Sequence, residues 1–167
     1  MTKPNYRHFL KLFFTDETEP LIEEVREEES SRLRDITSHV EKMPGAFFWF
    51  DTVDGKSIVI NLALLQSVHF LWEPNSLSNG MSRYDDSIII ALRRRKQRLE
   101  THTSSPEQIY NFFTDLEFGP EIALFCGFDD EDGERLVFRT SEVVFAIAPF
   151  HIVEEGRVSA EENEPER

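Results

Sequence analysis

Two segments of this chain, FFWFDTVDGKSIVIN (47–61) and FCGFDDEDGERLVFR (125–139), align over fifteen positions without a gap. Six positions are identical: Phe47/Phe125, Phe50/Phe128, Asp51/Asp129, Asp54/Asp132, Gly55/Gly133 and Val59/Val137. Each segment holds an Asp-Gly pair between two runs rich in aromatic and β-branched residues. That pattern specifies a β-hairpin, because Asp-Gly accepts the positive φ values of a tight type I′ turn. A third apolar run follows each hairpin (64–71 and 142–148) and closes on proline, at Pro74 and Pro149. The chain therefore reads as an internal pseudo-repeat of three-stranded units, 46–74 and 124–149, inside a single domain of residues 1–153.

The remaining segments fill in around these units. YRHFLKLFF (6–14) reads as a short helix packed on the core. TDETEP supplies a helix start, with Thr18 as N-cap and Pro20 in the first turn. Ile22, Val25, Leu33, Ile36 and Val40 then form an apolar stripe interrupted at Glu29, predicting one long helix that ends at Met43–Gly45. NSLSNGMSR (75–83) reads as a polar loop and SIIIAL (87–92) as a strand. Residues 93–96 turn the chain and 97–101 form a weaker strand. Ser105-Pro106-Glu107-Gln108 matches a capping box, and Ile109, Phe112, Phe113 and Leu116 lie on one face of the helix it opens. From Glu154 onward the chain reads as a disordered acidic tail (154–167). The expected fold is α+β: a mostly antiparallel sheet from two related three-stranded hairpin units, a long N-terminal helix, and a short helix between the units.

Phe47, Phe48, Trp49 and Phe50 run consecutively on a predicted strand, so alternate residues point to opposite faces and both faces must be covered. Val143–Ile147 makes the same demand. A helix on one side and a second layer or a second subunit on the other would meet it, which is compatible with a homodimer.

DGKSIVINLALLQSVHF, followed by SIIIAL and the SPEQIYNFF helix, gives residues 54–116 a pattern that resembles the small flagellar-operon proteins of the FlbD type. The long loop at 75–83 and the flanking segments depart from that family's compact length. The resemblance implies a topology and no function.

The 167 residues include fifteen Phe, and 40% are hydrophobic, which implies a packed interior. The formal net charge is −14. Most of it lies in 16–42 and 154–167. This balance argues against nucleic-acid binding and against an anionic membrane surface. No apolar run is long enough to span a bilayer, the start lacks a small-residue cleavage site, and the single Cys126 excludes an internal disulfide. A cytoplasmic location is expected.

Few residues point to chemistry. FDDEDGE (128–134) suggests calcium, but taking Gly133 as the sixth position of an EF-hand loop puts Phe128 first and Arg139 twelfth, where ligands are required. His8, His39, His69, His102 and His151 show no metal-ligand spacing, so no metal and no cofactor is expected. Cys126, on a strand, reads as a core residue. No nucleophile elbow, phosphate loop or dinucleotide fingerprint is present, which argues against an enzyme. The basic cluster Arg93, Arg94, Arg95, Lys96 and Arg98 can grip a phosphate or an acidic partner. It can equally be a charged turn paired with the acidic N-terminal helix. Two functions follow as expectations: a non-catalytic protein-interaction or regulatory module, or a small-ligand or anion-binding domain using the Arg93–Arg98 turn or a cleft between the units.

The hairpins carry a direct test. Replacing Gly55 or Gly133 by Val places a β-branched residue at positive φ and is expected to cost about 1 kcal/mol or more in stability, read as a lowered denaturation midpoint. Unchanged midpoints in both variants would mean the turns lie elsewhere.

Overall fold

Antiparallel sheets dominate the computed structural model, which describes residues 6–38, 46–74 and 86–163. Along the chain run β1 (Tyr6–Phe14), β2 (Leu21–Val25), α1 (Glu27–Thr37), β3 (Phe47–Asp51), β4 (Lys56–Asn61), β5 (Leu65–Pro74), β6 (Ile88–Leu92), β7 (Leu99–Thr101), α2 (Pro106–Phe118), β8 (Phe125–Asp129), β9 (Arg135–Arg139), β10 (Val143–Pro149) and α3 (Phe150–Glu162). The strands form three sheets, ordered β2-β1-β5, β3-β4-β10-β6-β7 and β8-β9.

The α+β class and the antiparallel pairing are observed, but the long N-terminal helix and the three-stranded units are not: the third strand of each unit leaves its hairpin, β5 pairing with β1 and β10 with β4 and β6. Residues 6–14 are strand β1. Leu10, Leu12 and Phe14 alternate into the core, while Phe9 and Phe13 on the other face are half-covered by Arg7 and Lys11, whose cations lie 5.1 and 5.5 Å from the ring centroids. The interrupted stripe belongs to two elements: Val25 is buried from strand β2, and Leu33 from helix α1. Glu29 breaks the stripe because its carboxylate has other work, accepting the Asp51 N–H at 2.9 Å. Glu27, Glu28 and Glu29 fill the first turn of α1, where a helix dipole favours acids. Val40, the expected helix end at 43–45 and the loop at 75–83 lie outside the described residues.

The five-stranded sheet has two covered faces. Phe48, Phe50, Ile58 and Ile60 pack with Leu10, Leu12, Phe14 and Leu33 on one side. Phe47, Val59, Ala146 and Ala148 pack with Ile109, Phe112, Phe113, Leu116, Phe128 and Phe138 on the other. The aromatic run on β3 is thus satisfied within one chain, and its argument for a second subunit lapses.

Helix α2 begins as its sequence predicts, with the Ser105 side chain accepting the Gln108 N–H and Pro106 in the first turn. Gln108 does not complete a capping box. Its side chain turns to β8, donating to Asp129 Oδ2 at 3.2 Å and accepting the Asp129 N–H at 2.6 Å. The acidic tail expected to be disordered from 154 is helical through Glu162. Arg157 pairs with Glu154 and Glu161, Val153 is buried, and Gly156 lets α3 touch α2. Residues 164–167 lie outside the described set.

One constant sequence offset, that which carries Phe47 to Phe125, relates far more than the hairpins. Each half runs hairpin, helix, hairpin, 3-10 turn, strand, and in each the last strand pairs with the first: β5 with β1, β10 with β6. Six backbone hydrogen bonds recur at this offset. Thr15 N–H to Leu64 O recurs as Arg93 to Glu142, Glu17 to Phe14 as Arg95 to Leu92, and Thr52 to Lys56 as Asp130 to Glu134. Val53 to Glu24 recurs as Glu131 to His102, Gly55 to Thr52 as Gly133 to Asp130, and Leu62 to Ala46 as Thr140 to Leu124. The positive φ values of Asp16 (71°) and Arg94 (65°), and those of Gly55 (88°) and Gly133 (82°), obey the same offset. So do the register shifts at Phe13/Phe14 in β1 and at Ala91/Leu92 in β6.

A Cβ on Gly156 would sit 2.0 Å from the Pro106 carbonyl oxygen, a backbone atom that cannot swing away. Gly156→Ala is therefore expected to force α3 off α2 and to cost about 1–3 kcal/mol, as overpacking does. Thermal unfolding checks it, and an unchanged midpoint would show that α3 does not dock there.

Candidate functional site

The turn between β6 and β7 faces strand β9 across an open cleft of about 620 Å³, lined by Leu92, Arg95, Lys96, Gln97, Arg98, Leu99, Val137 and Phe138. Leu92 and Leu99 come from the ends of the β6–β7 hairpin, and Val137 and Phe138 come from β9. The turn holds its shape through two backbone bonds, Arg93 N–H to Glu142 O at 2.8 Å and Arg95 N–H to Leu92 O at 3.2 Å. Arg94 sits in the left-handed region, which lets the chain reverse within a few residues.

The five basic residues of the cluster divide into two groups. Arg93 and Arg98 are engaged by acids of the β1–β2 turn, Arg93 Nε lying 3.6 Å from Asp16 Oδ2 and Arg98 4.0 Å from Glu17. The Arg93 Nε is buried and makes no hydrogen bond. The Arg98 guanidinium also lies over the Phe145 ring at 4.9 Å. Burial pushes the Glu17 carboxyl up, partly opposed by Arg98. Arg94, Arg95 and Lys96 are exposed, and among the described residues they make no ion pair. Arg95, Lys96 and Arg98 line the cleft; Arg93 and Arg94 do not. The acids that pair with the cluster, Asp16 and Glu17, belong to the β1–β2 turn and not to the acidic N-terminal helix that had been expected to pair with it.

The apolar wall of the cleft was not singled out in the sequence. Val137 carries a signal in hindsight, because it matches the buried Val59 and yet is 57% exposed. The backbone of β9 is open along this side. Thr52 N–H to Lys56 O, with the β3–β4 register, directs the groups of Ile58 and Ile60 toward β3. Phe150 N–H to Gly55 O directs the carbonyl of Gly55 and the groups of Ser57 and Val59 toward β10. At the same offset the carbonyl of Gly133 and the groups of Arg135 and Val137 face away from β8, and among the described residues no strand takes them.

Elsewhere the charged and nucleophilic groups serve the fold. Lys56 Nζ bonds the buried Glu23 at 2.7 Å and Asp54 at 3.2 Å. Ser57 Oγ donates to Asp51 at 2.7 Å. Cys126 is buried, its Sγ accepts from Thr140 Oγ1 at 3.5 Å, and burial pushes its thiol pKa up, away from reactivity. Asp130 Oδ1 at the second hairpin tip accepts the N–H groups of Asp132 and Glu134. Among the described residues no three His, Cys, Asp or Glu gather as metal ligands do. Among them, too, no helix is long and apolar enough to cross a membrane.

No family model, curated protein or solved structure matches this chain.

Burial also raises the carboxyl pKa values of Asp51, against the Ser57 hydrogen bond, and of Glu23, against Lys56. A raised folded-state pKa means that the native state holds the proton more tightly than the unfolded chain. The resulting stabilisation is present below the ordinary carboxylate range and is lost as pH rises through the raised values. Melting temperature at constant ionic strength is expected to fall from the upper edge of the ordinary carboxylate range toward neutrality. Asp51→Asn, which keeps an acceptor for Ser57, is expected to flatten that slope; an identical slope in the variant would contradict the assignment.

Proposed function

We propose that this chain is a non-catalytic protein-interaction module that receives an extended protein segment in the cleft between the basic turn and β9. The observation that carries the reading is the conjunction, on one cleft, of two cations, Arg95 and Lys96, with a strand edge, all without a partner among the described residues. The backbone groups of Arg135 and Val137 offer main-chain hydrogen bonds to an added strand. Val137, Leu99 and Leu92 offer apolar contact, while Arg95 and Lys96 select acidic neighbours and speed encounter. A site of this kind needs no catalytic side chain. A location in the cytoplasm accords with a free, buried Cys126.

A second reading rests on the size of the cleft, which falls in the range of small-molecule pockets. An anionic metabolite bound by Arg95, Lys96 and Arg98 would use the same cations and ignore the strand edge.

A photoreactive residue at position 137, introduced in the native cell, tests the module reading. Light is expected to yield protein adducts at 137 and none at the exposed control Ile22. Arg95→Ser with Lys96→Ser is expected to reduce them. The absence of protein adducts, together with a ligand-induced rise in melting temperature that the double variant loses, would instead establish the small-molecule reading.

A further inference from the structure

The occupant of the cleft can be read from the other half of the chain. At the offset relating the halves, the residues around the cleft, Leu92, the 93–98 turn, Leu99, Val137 and Phe138, correspond to Phe14, the 15–20 turn, Leu21, Val59 and Ile60. In the first half the space between these elements is filled. Strand β10 lies in it, pairing Phe145 with Ile60 and Ala146 with Val59, and the Phe145 ring packs 5.5 Å from that of Phe14. In the second half the same space is the open cleft.

The strand orders state the asymmetry. The five-stranded sheet runs β3-β4-β10-β6-β7, and the same order written in counterparts is β8-β9-β5-β1-β2. The chain contains that second sheet in two separate pieces, β8-β9 and β5-β1-β2. Among the described residues, strand β9 lacks a partner where β4 has β10, and β5 is a sheet edge where β10 is central. Within one chain the pieces cannot join, because β1 and its sheet pack on one face of the five-stranded sheet and β9 on the other.

We propose that β9 of one chain pairs with β5 of a second copy of this chain, remaking between molecules the joint that β4 and β10 make within one. This rests on the interaction-module reading and names its partner. Copying the existing register sets Val137 against Val68 and Phe138 against Ser67. It also sets the Trp72 N–H on the Gly133 carbonyl, as the Phe150 N–H sits on that of Gly55 at 2.8 Å. Leu71 and Trp72, exposed at 43% and 63%, would be covered. The charges agree. In the existing joint the acidic turn of the first half meets the basic turn of the second, through Asp16–Arg93 and Glu17–Arg98. In the joint between copies the basic turn of one chain, whose Arg94 and Arg95 make no ion pair among the described residues, meets the turn of the next that carries Glu19 beside Asp16 and Glu17, the last two already engaged by their own chain's Arg93 and Arg98. The contact is head-to-tail, since each chain presents one edge of each kind.

Sedimentation velocity of the full chain over a wide concentration range tests this. The parent is expected to associate as concentration rises. Val137→Pro removes one outward N–H from an edge strand, where proline is tolerated, and Trp72→Pro does the same on β5. Each is expected to weaken association at least about tenfold while keeping the parent's circular dichroism, and an equimolar mixture of the two is expected to form a one-to-one dimer through the intact β5 of the first and β9 of the second. If either proline variant loses its fold, Arg95→Glu with Lys96→Glu takes its place in the measurement and is expected to weaken association likewise. A parent that stays monomeric at its highest concentration, or a Val137→Pro chain that associates as the parent does, would overturn the proposal. Protein adducts at position 137 with a different protein, alongside a monomeric parent, would overturn self-docking and leave the module reading standing.

Discussion

The pairing of β4 with β10 is the contact on which the rest of the structure depends. It is the only ladder joining a strand of the first half to a strand of the second among the described residues. Seven residues of β10 are buried, and they separate two clusters that could not coexist without the sheet between them. Phe145 and Ile147 face the first cluster and Ala146 and Ala148 the second, small residues lying where α2 and α3 approach. Each hydrogen bond in such a ladder contributes on the order of 1 kcal/mol net. The larger consequence is the apolar surface of β3 and β4 that the pairing aligns for burial on both sides.

The same joint explains why two closely matched hairpins meet different fates. The tip of the first is tied down: Gly55 O accepts from Phe150 N–H, and Lys56 is clamped between Glu23 and Asp54. The tip of the second bonds mainly to itself through Asp130, and its outer edge borders a basic cleft. Local sequence forms both turns, since Asp-Gly with positive φ at glycine is enough for each. What differs is the neighbour.

Elements defined by local chemistry were legible in the sequence: the two Asp-Gly turns, the Ser105-Pro106 helix start, and the four-residue apolar face of α2. Three readings failed where tertiary packing overrode a local signal. YRHFLKLFF shows no clean alternation because Phe9 and Phe13 on its outer face are shielded by Arg7 and Lys11, so a strand looked like a helix. The part of the stripe from Ile22 to Ile36 spans a strand, a break and a helix, and Glu29 marks the join by bonding β3. The segment after Glu154 looked solvated because its charges pair within one helix, Arg157 with Glu154 and Glu161, while the clue to docking was a glycine, Gly156. The basic turn was visible as a cluster. The strand edge opposite it was not, because nothing in a strand's own residues records whether a partner lies beside it.

Amide hydrogen exchange resolved at Val59 and Val137 tests the central claim most directly. The two N–H groups occupy matching positions, one inside the β4–β10 joint and one on the open edge of β9. The account predicts slow exchange at Val59 at every concentration, and at Val137 fast exchange in dilute solution that slows as the chain is concentrated. Val137 as protected as Val59 in dilute solution would mean the edge is already covered within the chain. Fast exchange at Val137 at all concentrations would mean that no second copy docks there.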